Sequence, residues 1–327
     1  MEIFDGHCGL QRPLVVPAIA LGNFDGVHLG HAALIDAAVS ASKSLGGDAV
    51  VYTFDPHPSV VLAPTFAPKP ITSLRRRLEL FADRGVSVSV IEPFTREFAA
   101  TSATDFATEI LAHIIGAKHV VVGYDFTFGK DRSGNAELLA HLGSELGFTV
   151  EIIKPVAAHD MIASSTRVRN FVGDANLAGA RVLLGRNYDL DGWVVHGQQR
   201  GRELGFPTAN VEPTIPPLLP AGIYATRIHL LESPSSSSFI QGAQHHWIAA
   251  TSLGTNPTFE GGHQLTLEPH LLDFEGNLYN HLLRVEFVEY LRGEQRFDSI
   301  DSLVDAIKHD ITHTRKIFAK NHEGQDK

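Results

Sequence analysis

Over its first half the chain alternates short, β-branched apolar runs with segments of helical periodicity. The runs are PAIAL (17–21), AVVYTF (49–54), VSVSVI (86–91), HVVVG (119–123) and FTVEII (148–153). Between them lie Ala32–Leu45, Leu74–Asp83, Ala103–Ile115 and Ala136–Leu146, in which apolar residues recur at helical spacing. In the third of these, Phe106, Ile110, Leu111 and Ile114 share one face. Strands that alternate with helices and show almost no polar side predict a parallel sheet covered on both faces. Two further helices are expected at Ser165–Val172 and Asn176–Leu184.

From about Tyr188 to Glu289 the pattern changes. GWVV, GIYATRIHLL, WIAATSL, LTLEPHLLDF and LLRVEFVEYL are strand-like runs separated by glycine, proline and asparagine. They predict an antiparallel barrel or sandwich. SPSSSS (233–238) reads as a solvent loop between strands. A last helix is expected from about Ser299, which can cap it, with Ile300, Leu303, Ile307 and Ile311 along one face. The expected organisation is an α/β domain over residues 1–186 and a β-rich domain over 187–327 with a terminal helix.

Composition narrows the function classes. With 327 residues, 43% of them hydrophobic and 20% charged, the chain reads as an ordinary globular protein of two domains. A single cysteine, Cys8, allows no internal disulfide and fits a reducing cytoplasm. The opening segment is acidic and broken by Pro17, unlike a secretory signal, and no apolar run is long enough to span a membrane. A formal charge of −10 without a basic run disfavours broad nucleic-acid binding. Small anionic ligands remain compatible, because helix N-termini hold anions without net positive charge. Nothing in the pattern sets an oligomeric state.

GNFDGVHLGHA (22–32) follows the first strand and opens the first helix, where open parallel sheets bind ligands. Gly22, Gly26 and Gly30 permit close backbone approach, and the helix would aim amides and its positive dipole end at the loop. His28 and His31, on the first turn, would face the same anion. With 18 histidines in the chain, a pair by itself carries little weight. A metal site drawing on Asp25, His28, His31, Asp55 and His57 is the second reading. Phosphate accounts for the glycines as well as the side chains; metal accounts only for the side chains.

GNFDGVHLGH resembles the histidine signature of the nucleotidyltransferase superfamily, in the variant carried by bacterial bifunctional riboflavin kinase/FMN adenylyltransferases. TFDPHP (53–58), VVGYDFTFGKDRSG (121–134) and SSTRVR (164–169) match that family in order. So do RGRELGFPTAN (200–210), GTNPTF (254–259), LEPHLLDF (267–274) and LRGEQRF (291–297). The resemblance implies a Rossmann-like nucleotidyltransferase domain that transfers AMP from ATP to FMN, followed by a riboflavin kinase barrel. In the first, Gly22, Asn23, Phe24, Asp25 and Gly30 would hold ATP, with His28 and His31 stabilising its phosphates. Ser164, Ser165, Thr166 and Arg169 would form a second clamp on the triphosphate, although ASSTRVR alone reads as a capped helix start. Phe54, His57, Asp125 and Phe128 would meet the flavin, with at least one of Phe126 and Phe128 in the core. Ala163 stands where relatives carry isoleucine or valine, a packing change outside the clamp.

In the second domain the resemblance gives Gly197, Gly201, Gly205, Phe206, Pro207, Thr208 and Asn210 to ATP, with Thr208 and Asn210 as Mg²⁺ ligands. GFPTAN by itself reads as a turn into a strand. The riboflavin hydroxyl must lose a proton, and Glu268 occupies the position of the general base; a solvent-facing glutamate on an alternating strand is the plainer reading. Arg292 and Phe297 would close over the flavin. Pro269 suggests a strand edge or bulge, Asn280 a turn at positive φ, and Ser252 replaces a frequent asparagine. ATP, riboflavin and FMN are the implied small-molecule substrates, FAD the product and Mg²⁺ the cofactor. Competing expectations are another small-molecule nucleotidyltransferase, a flavin-binding sensor that has lost one or both activities, and a metal-dependent hydrolase.

Overall fold

The five strand-like runs of the first half, with one further strand at the start of the chain, form one six-stranded parallel sheet. In the computed structural model, residues 1–197, 201, 204–232, 246–257 and 263–323 are described. The strands are β1 (Glu2–Asp5), β2 (Ala18–Leu21), β3 (Ala49–Asp55), β4 (Val88–Pro93) and β5 (His119–Gly123), the small hairpin β6 (Thr127–Phe128) and β7 (Gly134–Asn135), and β8 (Thr149–Ile153). The sheet order is β1-β4-β3-β2-β5-β8. A second small hairpin, β9 (Ala157–Ala158) and β10 (Met161–Ile162), precedes the serine-rich motif.

Period-two alternation sends neighbouring residues of each strand to opposite faces. Ile19, Leu21, Val50, Tyr52, Val120 and Val122 pack with Phe106, Leu111 and Leu139, while Ala20, Val51 and Val121 pack with Leu34, Ile35 and Phe81. Each face is therefore a separate core, as unalternating strands predict. β1 escapes a reading by pattern because EIFD buries only Phe4; it exists through its parallel ladder with β4.

The helices that set the candidate site are α1 (Leu29–Leu45), α2 (Pro58–Leu62) and α3 (Leu74–Asp83). α1 begins three residues before the expected Ala32, and Gly46 ends it in the left-handed conformation at φ 69°. The expected helix Ala103–Ile115 is wound differently. A turn of α-helix, Ala103–Asp105, runs into a π-helix, Phe106–Ile114, whose last step has the Ile115 N–H donating to the Ile110 carbonyl.

The second half resolves the barrel-or-sandwich alternative as a closed antiparallel barrel. β11 (Tyr188–Val195), β12 (Asn210–Pro213), β13 (Gly222–Glu232), β14 (His246–Pro257), β15 (His263–Leu271) and β16 (Leu282–Arg292) close in the order β11-β12-β15-β14-β13-β16. Tyr188, Tyr224 and Phe287 are fully buried, with the Phe287 ring in contact with both tyrosines, 5.9 Å from Tyr188 and 5.3 Å from Tyr224. The terminal helix Ile300–Glu323 lays Ile317 and Phe318 against Ala225, Ile248, Val288 and Leu291. The serine stretch 233–238 and loop positions 198–200, 202–203 and 258–262 lie outside the described residues.

Pro269 sits neither on an edge nor in a bulge. β14 and β15 pair without a register shift from Ala249↔Leu271 to Pro257↔His263, with Pro269 opposite Thr251. Its carbonyl accepts from the Ala209 N–H on the other side, and the proline removes only the return bond to β12. Asn280 adopts φ 63° as expected, and its N–H donates to the Val194 carbonyl.

Contacts divide the chain into Met1–Lys69 with Leu74–Ser165, and Pro70–Ser73 with Thr166–Lys327. Within the second unit the helix Leu177–Leu184 packs on β11 and β16.

On β16, Glu286 takes hydrogen bonds from Asn187 at 2.6 Å and Arg227 at 3.3 Å, and pairs with His229 at 2.8 Å. Burial by itself raises its pKa, but the bonds from His229 and Asn187 and the Arg227 charge outweigh it and hold the carboxyl at about 2. A depressed carboxylate stabilises the fold above its ordinary pKa of 4.5 and loses that contribution as pH falls toward about 2. Glu286→Gln should therefore lower unfolding stability near neutral pH by on the order of 2 kcal/mol. Denaturant midpoints measured across acid pH should converge for the two proteins toward pH 2; parallel curves would refute the assignment.

Candidate active sites

At the carboxyl rim of the parallel sheet, the GNFDGVHLGH turn leads from β2 into α1. His28 is the N-cap: its Nδ1 accepts from the Gly30 N–H at 3.1 Å and the His31 N–H at 3.3 Å. Both partners can only donate, so Nδ1 is the acceptor and the ring proton sits on Nε2. Two of the helix amides expected to meet an anion, those of Gly30 and His31, are thus taken up by His28. Gly30 leaves room for this fold-back, since a Cβ there would stand 3.0 Å from the His28 ring, tighter than an ordinary contact. His31 stacks on His28 with centroids 3.7 Å apart and planes 18° from parallel.

Phe24, expected to touch ATP, is fully buried at φ 52° and works from behind. Its ring lies edge-on to His31 at 5.3 Å and to Phe81 of α3 at 5.6 Å. Asp25 is buried, and its carbonyl accepts from the Ser165 hydroxyl at 2.9 Å, which ties the serine motif to the histidine turn. Gly22 donates to the Tyr52 carbonyl at 3.2 Å, and the Asn23 carbonyl accepts from the Thr53 hydroxyl at 3.1 Å. Ser164 is half-buried beside Ser165; Thr166, exposed, and Arg169, half-buried, follow on the helix Ser165–Gly173.

The aromatic side of the rim is larger than the sequence suggests. Phe54 contacts Tyr52, Phe94 and Phe98 at 5.7–5.9 Å, and Phe98 continues to Phe106 and Phe128. Phe128 is the core member of the Phe126/Phe128 pair: it is buried, and a Cβ on Gly134 would meet its ring at 2.6 Å. Half-buried Phe126 stacks on it at 5.5 Å. His57 caps α2, its Nδ1 accepting from the Ser59 N–H at 3.2 Å, and Asp125 is exposed. Behind this wall buried Glu92 accepts from the Tyr52 hydroxyl at 2.5 Å and the His7 N–H at 2.9 Å, and pairs with His7 Nδ1 at 2.7 Å. Burial, followed by the charge of Glu92, pushes the Tyr52 hydroxyl pKa up, so Tyr52 stays a donor.

In the barrel, the register brings the kinase candidates together. Val211↔Leu267 and the Ala209–Pro269 hydrogen bond bracket Asn210 directly opposite Glu268 across β12 and β15. Ser252 faces Glu268 from β14. All three alternate with wholly or almost wholly buried Val211, Leu267 and Leu253, and so share the opposite face of the barrel wall. Gly197 has the same reason for being glycine as Gly30: a Cβ there would collide with the Asn210 amide. Gly205 adopts φ 85°, and the Phe206 N–H donates to the Gly201 carbonyl at 2.8 Å. Thr208 is half-buried two residues before Asn210.

His270, two residues past Glu268 on the same face, donates through Nδ1 to the Pro207 carbonyl at 2.8 Å and meets Phe206 edge-on at 5.8 Å. The sequence contains this residue in LEPH, but only the register shows that it holds the GFPTAN turn. Arg292 is committed to the terminal helix. Its guanidinium pairs with both Asp310 oxygens, at 3.0 and 2.7 Å, and covers Phe297 at 5.7 Å. Among the described residues no three His, Cys, Asp or Glu side chains gather as a metal site, and no helix is long and apolar enough to cross a membrane.

A parallel α/β sheet with a phosphate-type histidine turn, followed by a barrel that pairs an acid with an amide, defines a two-site nucleotide-dependent transferase. Family models agree: FAD synthetase matches residues 13–167 and riboflavin kinase matches residues 184–318. The bifunctional riboflavin kinase/FMN adenylyltransferase of Pseudomonas fluorescens is 36% identical over 91% of this chain and 92% of its own. That of Escherichia coli K12 is 36% identical over 97% and 98%. A solved structure described as a macrolide-efflux protein from Streptococcus pneumoniae superposes with a TM-score of 0.82 at 30% identity, covering 96% of this chain and 98% of that one. The chain belongs to the family of bifunctional riboflavin kinase/FMN adenylyltransferases, enzymes of flavin cofactor biosynthesis.

Proposed function

We propose that residues 187–327 phosphorylate riboflavin to FMN and that residues 1–186 adenylylate FMN to FAD, each step using ATP. The observation that carries this most directly is Asn210 standing opposite Glu268, which sets an oxygen donor beside an acid on strands distant in sequence.

In the kinase step the ribityl 5′-hydroxyl attacks the γ-phosphorus of ATP, ADP leaves, and Glu268 takes the hydroxyl proton. Thr208 and Asn210 fit Mg²⁺: a hydroxyl and an amide oxygen without a carboxylate cage suit a hard ion that keeps waters and phosphate ligands. Bound with ATP, Mg²⁺ supplies charge neutralisation at the phosphates. In the adenylyl step an FMN phosphate oxygen attacks the α-phosphorus, and the bond to pyrophosphate breaks. No side-chain nucleophile is needed. His28 donates through Nε2 to the charge that develops, His31 stacks behind it, and the serine–arginine motif holds the triphosphate. Phe54 and Phe126 offer aromatic faces to the isoalloxazine.

The test incubates the protein with riboflavin, ATP and Mg²⁺ and resolves flavins by chromatography. FMN appearing first and then converting to FAD is the expected course. Bound flavin with no conversion would instead make the protein a sensor.

A further inference from the structure

We infer that Arg77 is a positioning residue that locks the ATP turn and the flavin turn of the adenylyltransferase into one frame; this rests on the function proposed above. Arg77 lies on α3 in the run LRRRLEL, where three consecutive arginines read as a solvated face. Exposed Arg75 and half-buried Arg76 pair with Glu79 along the helix. Arg77 does not. It is 7% exposed, and its guanidinium reaches two separate rim turns.

Nη1 donates to the Asn23 carbonyl at 3.1 Å, in the histidine signature, and to the Phe54 carbonyl at 3.4 Å, in TFDPHP. Nη2 donates to Asp55 Oδ1 at 2.8 Å in the same flavin-side turn. One helical turn later Phe81, fully buried, supports Phe24, which in turn abuts His31. Arg77 and Phe81 are the two buried residues of α3, and both face the substrate turns. A buried guanidinium is costly unless its donors are used; here Nη1 and Nη2 are spent on two main-chain carbonyls and the Asp55 carboxylate, in two loops with different ligands, while Nε is buried without a partner among the described residues. A planar fork can bridge such acceptors at fixed separation; a single ammonium cannot. The reaction needs the FMN phosphate in line with the α-phosphorus, so a shift of about 1 Å between the turns would cost on the order of a hundredfold.

The test uses the full chain, whose riboflavin kinase activity reports on folding of the rest of the protein. Arg77→Lys keeps charge and approximate length but loses the fork. We expect it to raise KM for FMN and for ATP together and to lower kcat/KM for adenylylation by at least tenfold, with riboflavin phosphorylation unchanged. In Arg77→Ala, added guanidinium should restore part of the adenylylation and methylammonium should not. The inference is overturned if Arg77→Lys matches wild type, if the KM of only one substrate moves, or if a folded Arg77→Ala is not rescued. Should Arg77→Ala fail to fold, Arg77→Lys decides alone. Wild-type protein that makes no FAD from FMN would overturn the functional reading itself, which separates the two failures.

Discussion

His28→Ala is expected to cut FMN adenylylation by roughly 10²–10³-fold, the loss typical of removing one preorganised donor from a developing oxyanion. Riboflavin phosphorylation should be unchanged, because its candidate residues all lie on the barrel. The alanine also removes the N-cap of α1, at a cost of about 1 kcal/mol in stability. These two effects can be separated. His28→Asn restores a capping acceptor for the Gly30 and His31 amides but places no donor where Nε2 was. It should recover thermal stability and stay inactive in FAD formation. If asparagine restored activity along with stability, His28 would be a capping residue, and the phosphate contact would have to come from elsewhere on the turn.

How far the sequence carried the fold depended on whether each element is specified by its own residues. PAIAL, AVVYTF and HVVVG are buried on both faces and declare themselves by composition alone, and Leu74–Asp83 and Ala136–Leu146 match their expected limits. β1 was missed because EIFD has one buried residue and is stabilised by the ladder it joins. The site divides the same way. Spacing exposed His28 and His31 and the family resemblance singled out Glu268, yet which histidine nitrogen is committed, and what Gly30 makes room for, depend on a side chain folding back onto its own helix. Phe126 and Phe128 are interchangeable as letters; only the packing of Gly134 against Phe128 tells them apart. Arg77 was concealed by its neighbours, since a guanidinium bound to carbonyls looks, in sequence, like any other surface charge.

Glu268→Gln should produce the opposite phenotype to His28→Ala. The amide keeps the size and hydrogen-bonding capacity of the carboxylate and cannot take the ribityl proton, so phosphorylation of riboflavin should fall by roughly 10²–10⁴-fold. FAD formation from supplied FMN should proceed at the wild-type rate. Because Asn210 and Ser252 flank Glu268 in register, the substitution leaves the neighbouring strands paired, and loss of activity cannot be attributed to a broken barrel so long as the thermal midpoint holds. Retained kinase turnover at the wild-type rate would remove Glu268 from the base role. The two lesions then give a decisive cross-test: mixing His28→Ala with Glu268→Gln in one vessel should restore the conversion of riboflavin to FAD, because FMN made by the intact barrel of the first protein is free to reach the intact sheet of the second. Failure of the mixture, with each half-reaction separately active, would mean that FMN does not pass through solution between the two sites.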